Sequence, residues 1–118
     1  MTQTEKVPRH MKPRTRELAI PIQVKRAVAE RDSCDGWPCC ILCGDPAPTA
    51  APLSFSCAHY ISRAHGGLGT ERNILTLCPT CHRSYDSTER ETYRPILRRY
   101  LREHYKNWTE SELIYQRC

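Results

Sequence analysis

No stretch of the 118 residues approaches the ~18 consecutive apolar positions that a membrane-spanning helix requires, which excludes a transmembrane chain of that kind. The residues from Met1 to Lys6 lack an apolar run, and the nearest candidate, Leu18 to Val24, is broken by Pro21. The expectation is a chain without a secretory signal that stays in the cytoplasm. Phe and Trp are scarce, one and two residues, so the apolar core is modest. Cores of this size commonly lean on a metal or on disulfides. No internal repeat and no heptad pattern is present, and the length suits one domain with tails.

What the sequence does have is cysteine and positive charge. Eight cysteines would form disulfides in a secreted domain and more often hold metal or do chemistry in a cytosolic one. The formal net charge is +5, and residues 1–26 account for all of it, with seven basic residues against two acidic ones. A second excess runs from Arg83 to Lys106, seven basic against four acidic. Basic tails and helix faces attract nucleic acid by neutralising phosphates, although they also serve plain solubility.

Residues 1–17 are polar and basic with Pro8 and Pro13, a composition that buries too little surface to offset the entropy of ordering. A flexible basic arm is expected there, followed by a single domain over 18–118. From Pro21, the spacing of Ile22, Val24, Ala27 and Val28 predicts a short helix ending at Arg31 and Asp32. Asp35-Gly36 is a turn signal, and the proline-rich stretch 45–52 is a loop. Leu53 to Ile61 is expected to be extended, with Leu53, Phe55, Cys57, His59 and Ile61 on its apolar side. Asn73 to Leu77 reads as a partner strand, giving a hairpin with a long connection through Gly66-Gly67-Leu68-Gly69. A helix should open at Pro79 and another at Pro95, the latter with Ile96, Tyr100, Leu101, His104 and Tyr105 on one face. Thr109-x-x-Glu112 matches a capping box. The fold class expected is α+β.

The strongest signal is the pair Cys40-x-x-Cys43 and Cys78-x-x-Cys81, which supplies the four thiolates of a closed structural zinc site. Cys39 could replace Cys40, but the two-residue spacer favours Cys40. Four thiolates and Zn²⁺ sum to −2, so any catalysis must come from elsewhere. The 34 residues between the knuckles are long for a zinc ribbon and hold a functional insert.

Within that insert, and just beyond it, stand Cys57-Ala-His59-Tyr-Ile-Ser-Arg63, Gly66-Gly67-Leu68-Gly69, Asn73-Ile-Leu-Thr-Leu-Cys78 and Cys81-His82. With Cys40-x-x-Cys43-Gly44 before them, these motifs resemble the HNH endonuclease family, in its zinc-bearing subtype of small phage and prophage proteins. The resemblance covers roughly residues 22–88. It implies a zinc-stabilised ββα-metal core at about 40–88 with helices over 89–118, and a metal-dependent DNA endonuclease. His59 would be the general base, His82 a ligand of the catalytic divalent metal, and Asn73 the residue that orders the loop or approaches that metal. An imidazole titrating near ~6.5 can take a proton from water at neutral pH.

Many family members place an Asp or His just before the base, where this chain has Ala58. Asp86, four residues after His82 on the same helical face, is expected to be the second ligand of Mg²⁺, Mn²⁺ or another divalent ion. Arg63, Arg83, Arg98, Arg99 and Arg102 are candidate DNA contacts. One active site implies one strand cut per engagement. The phage-like resemblance suggests packaging proteins such as a terminase as partners. An adaptor that has lost catalysis is the alternative, for which Ala58 is the hint.

Overall fold

A computed structural model describes residues 13–49 and 54–116. Residues 1–12 of the expected arm, Leu53 and Cys118 lie outside the described residues. The last part of that arm is helical: Pro13–Leu18 forms α1, with Leu18 buried. The second helix, α2, spans Ile22–Arg31, with Pro21 as its extended N-cap, one residue before the helical position expected for it.

Ser33–Cys34 (β1) and Trp37–Pro38 (β2) make a small antiparallel hairpin. Asp35 and Gly36 both adopt positive φ, 53° and 81°, as the right-handed twist of a two-residue hairpin turn demands. The second sheet pairs Ser56–His59 (β3) with Ile74–Leu77 (β4), antiparallel, with His59 opposite Ile74. Pro79–Tyr85 is α3, opened by Cys78 as N-cap with Pro79 in its first turn. Arg90–His104 is α4, and Glu110–Leu113 is a 3₁₀ turn held by the Thr109/Glu112 capping box. The α+β class is as expected, with helices flanking two small antiparallel sheets.

Two expectations change in detail. The side of β3 that enters the core carries Ala58 and Tyr60, both 0% exposed, while Cys57 and His59 on the other side are half-buried. Ala58 and Tyr60 pack with Leu75, Leu77, Tyr85 and Leu97, and this cluster takes precedence over the weaker apolar alternation of the odd positions. The last helix begins at Arg90, five residues before Pro95, which it carries in its interior. Its buried residues are Leu97 and Leu101, whereas Ile96 is 50% exposed.

All four residues of β4 are buried, yet among the described residues β4 has one strand partner. Its open edge is satisfied by other groups: Thr76 N–H donates to Asp32 Oδ2 at 2.9 Å, and Thr76 O accepts from Ile41 N–H at 3.1 Å. Asp32 is itself buried and also accepts from Arg31 and from Tyr100 Oη at 2.5 Å. Arg31 reaches Ile74 O and Tyr105 Oη, so one ion pair at the end of α2 binds that helix to β4 and α4.

The connection between β3 and β4 is held by close backbone approach. A Cβ on Gly67 would stand 1.6 Å from Ile61 O, and one on Gly69 would stand 1.9 Å from Ala19 O. Gly69 N–H donates to Glu17 O at 2.9 Å, so this loop seats the chain that links α1 to α2.

Candidate active site and metal centre

The four cysteines of the two knuckles converge, their Sγ atoms all within 4.8 Å of one another. Sulfurs around a tetrahedral zinc at ~2.3 Å stand about 3.8 Å apart, and Cys43 Sγ and Cys78 Sγ are 3.8 Å apart. The donor set and spacing fit zinc. Cys39 lies outside the cluster, its Sγ on Trp37 O at 3.3 Å. The site joins the first knuckle to the N-terminus of α3 and fixes the start of that helix against β3 and β4.

A cleft of about 600 Å³ opens between α3, the end of β3 and the Arg63–His65 3₁₀ turn, with Ile20, Cys57, His59, Arg63, His82 and Asp86 among its walls. His59 stands at the end of β3, on the side away from the core. Its Nε2 lies 2.9 Å from Leu18 O. A carbonyl only accepts, so Nε2 carries the proton of the neutral ring and Nδ1 keeps the lone pair. Burial pushes the pKa of His59 below the usual imidazole value, an effect that the Leu18 carbonyl opposes and the Arg63 charge reinforces.

His82, on α3, is oriented from the strand: its Nδ1 is 2.8 Å from Ser56 Oγ. Its Nε2 is 3.2 Å from Asp86 Oδ2, which the i, i+4 spacing accounts for. Asp86 Oδ1 accepts from Arg90 Nη2 at 3.0 Å. Arg90 also donates to Tyr60 O at 2.8 Å and lies 4.1 Å over the Tyr85 ring. The first residue of α4 thus braces one carboxylate oxygen and leaves Oδ2 facing His82.

Asn73 does not line the cleft. It is fully buried; its Oδ1 accepts from Ile61 N–H at 2.8 Å and its Nδ2 donates to Leu68 O and Ile61 O. These bonds tie Asn73 to the connection between β3 and β4. Arg63 is exposed at the cleft, and Arg83 is exposed on α3 outside it. Arg98 is engaged within the fold, pairing with Glu110 Oε2 at 3.1 Å and donating to Tyr60 Oη. Arg99 and Arg102 face solvent along α4, Arg99 next to Glu103 at 3.4 Å.

The residues that sequence reading missed are Leu18 and Ile20 before the knuckles, Ser56 in β3, and the pairing of Arg90 with Asp86. Leu18 acts through a backbone carbonyl, which leaves no residue-type signal. Arg90 stands four residues after Asp86 on the helical spacing that placed Asp86 beside His82, and that spacing could have indicated it.

Two cysteine knuckles thus flank a ββα unit, and three histidines, His59, His65 and His82, line one cleft beside it. The family model described as HNH endonuclease matches residues 40–88. No curated protein matches the chain. Among the described residues, no helix is long and apolar enough to cross a membrane.

Proposed function

We propose that the chain is a metal-dependent DNA endonuclease that hydrolyses phosphodiester bonds and nicks one strand per engagement. Residues 18–118 act as one unit around the core at 40–88, preceded by a basic arm. The observation that carries the reading is the meeting of His59, with Nδ1 available as a base, and the His82–Asp86 pair in one cleft.

His59 Nδ1 takes the proton of the attacking water, whose oxygen bonds to phosphorus as the P–O bond to the leaving oxygen breaks. The Leu18 carbonyl stabilises the imidazolium that results, through Nε2–H. His82 Nε2 and Asp86 Oδ2 are the side-chain atoms that would hold a divalent cation. Ligand atoms at a right angle around a cation at about 2.1 Å stand roughly 3.0 Å apart, and the separation of 3.2 Å supports that assignment. Such a cation, Mg²⁺ or Mn²⁺, supplies charge neutralisation at the phosphate and the leaving oxygen. Ser56 fixes the His82 ring and Arg90 fixes the carboxylate. Arg63 in the cleft wall and Arg83 on α3 outside it serve as phosphate contacts, Arg99 and Arg102 extend the basic face, and Arg98 contributes charge while anchored to Glu110.

Ala58 is fully buried, so a ligand at that position would have to leave the core, and His82 and Asp86 would be the protein ligands of the cation, with water and phosphate beside them. The test is conversion of supercoiled plasmid to the nicked circle with Mg²⁺, Mn²⁺ or EDTA, using wild type and His59→Ala. Metal-dependent nicking that falls at least 100-fold in His59→Ala is expected. Equal residual activity in the two proteins would favour the non-catalytic adaptor.

A further inference from the structure

A second, more apolar cleft of about 290 Å³ adjoins the first and shares Ile20 and Cys57 with it. Its other walls are Ile22 and Lys25, one turn apart on α2, and Phe55 and Ser56 at the entry to β3. Ile22 is 49% exposed, one of three large apolar side chains so exposed among the described residues. Phe55 is buried at the base. Lys25 is the only charged residue among its walls. Ser56 orients His82, so this cleft begins one side chain from the proposed cation pair.

We propose that this cleft receives one unpaired nucleobase of the strand being cut, next to the scissile phosphate. The proposal rests on the nuclease reading and deepens it by naming a substrate class. A phosphate at His59 and His82 delivers the attached nucleoside to the neighbouring walls, and the shared Ile20 and Cys57 make the two clefts continuous. Apolar faces on Ile20, Ile22 and Phe55 suit the flat surface of a base, and Lys25 is placed for a phosphate or a base carbonyl. A base stacked inside a duplex cannot enter a side cleft. Unstacking costs a few kcal/mol and is least for a base that is already single-stranded or mismatched. Gapped, flapped or single-stranded DNA is therefore preferred over continuous duplex, and any base fits, because the cleft offers contact rather than a hydrogen-bonding code.

The experiment measures binding of full-length protein to 2-aminopurine oligonucleotides, with the probe unpaired in a gap or paired in a duplex, beside cleavage of the same substrates with Mn²⁺. Expected is about tenfold tighter binding of the unpaired probe, with a fluorescence change, lost in Ile22→Asp and retained in Ile96→Asp, an equally exposed control on α4. Equal affinity for the two probes, or an unaltered preference in folded Ile22→Asp, overturns the proposal. Should Ile22→Asp fail to fold, Lys25→Gln is measured instead, and an unchanged preference there counts against it equally. Metal-dependent cleavage without a preference for the unpaired base overturns this proposal alone. A retained preference without cleavage overturns the nuclease reading alone.

Discussion

Replacing Gly69 by Ala tests whether the segment before the knuckles belongs to the active site. The added Cβ would stand 1.9 Å from Ala19 O and 3.1 Å from Ile20 N, both backbone atoms, so the link between α1 and α2 must move away. That movement breaks Gly69 N–H to Glu17 O, about 1 kcal/mol, and lifts Leu18, 2% exposed, out of its site, roughly 1.5–3 kcal/mol. Together these come to about 3 kcal/mol if α1 undocks completely. The zinc cluster and the β3–β4 pairing share no residue with this contact, so the loss is local. The chemical consequence is larger than the thermodynamic one. His59 loses the acceptor that fixes its tautomer and its ring, and a positioned base contributes ~10²- to 10⁴-fold. Nicking should fall 10- to 100-fold while zinc content stays at one per chain. Plasmid nicking, zinc analysis and proteolysis of the N-terminal segment read the three quantities. Full activity with α1 protected as in wild type would refute the reasoning. So would loss of zinc together with activity, since the effect would then be global.

Cys43→Ser should release the zinc and unfold the domain, because structural zinc contributes ~10–16 kcal/mol against a total stability of ~5–15 kcal/mol; circular dichroism and metal analysis check this. Asp86→Asn removes the charge from the proposed cation pair and should weaken Mn²⁺ binding at least tenfold in calorimetric titration while zinc is retained, whereas unchanged Mn²⁺ affinity would remove Asp86 from the site. The depressed pKa of His59 sets the sign of the pH dependence: the neutral base persists below the ordinary imidazole value of ~6.5. Activity should therefore rise with pH through a midpoint below ~6.5, and the same shift makes the fold lose stability as pH falls from that value toward the depressed one. Asp32→Ala leaves Arg31 buried without its partner and should cost ~3–5 kcal/mol in chemical denaturation.

The four-cysteine cluster was legible because thiolate spacing is itself the chemistry: two CxxC knuckles together present the four sulfurs a tetrahedral zinc takes. The β3–β4 hairpin and the start of α3 were legible for a similar reason, since Pro79 and the strand-length apolar run constrain the backbone locally. The side of β3 that faces the core was not. Its odd positions look more apolar than its even ones, and the choice fell to Tyr60, whose ring packs edge-on against Trp108, 48 residues further on, with centroids 5.6 Å apart. No local window contains that contact. This inversion is also what frees His59: on the core side it would be a satisfied buried histidine, and on the other it lines the cleft that His82 also lines. Long-range pairing likewise escaped local reading at Arg31 and Asp32, which look like a polar helix end and instead cap the open edge of β4. The proposed general base, His59, is hydrogen-bonded to a carbonyl 41 residues before it, so residues 40–88 carry the motif, while Leu18 and Ile20 on one side and Arg90 on the other supply walls and braces from outside it. A fragment cut at the motif's limits would keep the four clustered cysteines and His82 and lose the Leu18 carbonyl on His59, so the proposed zinc content and the proposed catalysis should prove separable.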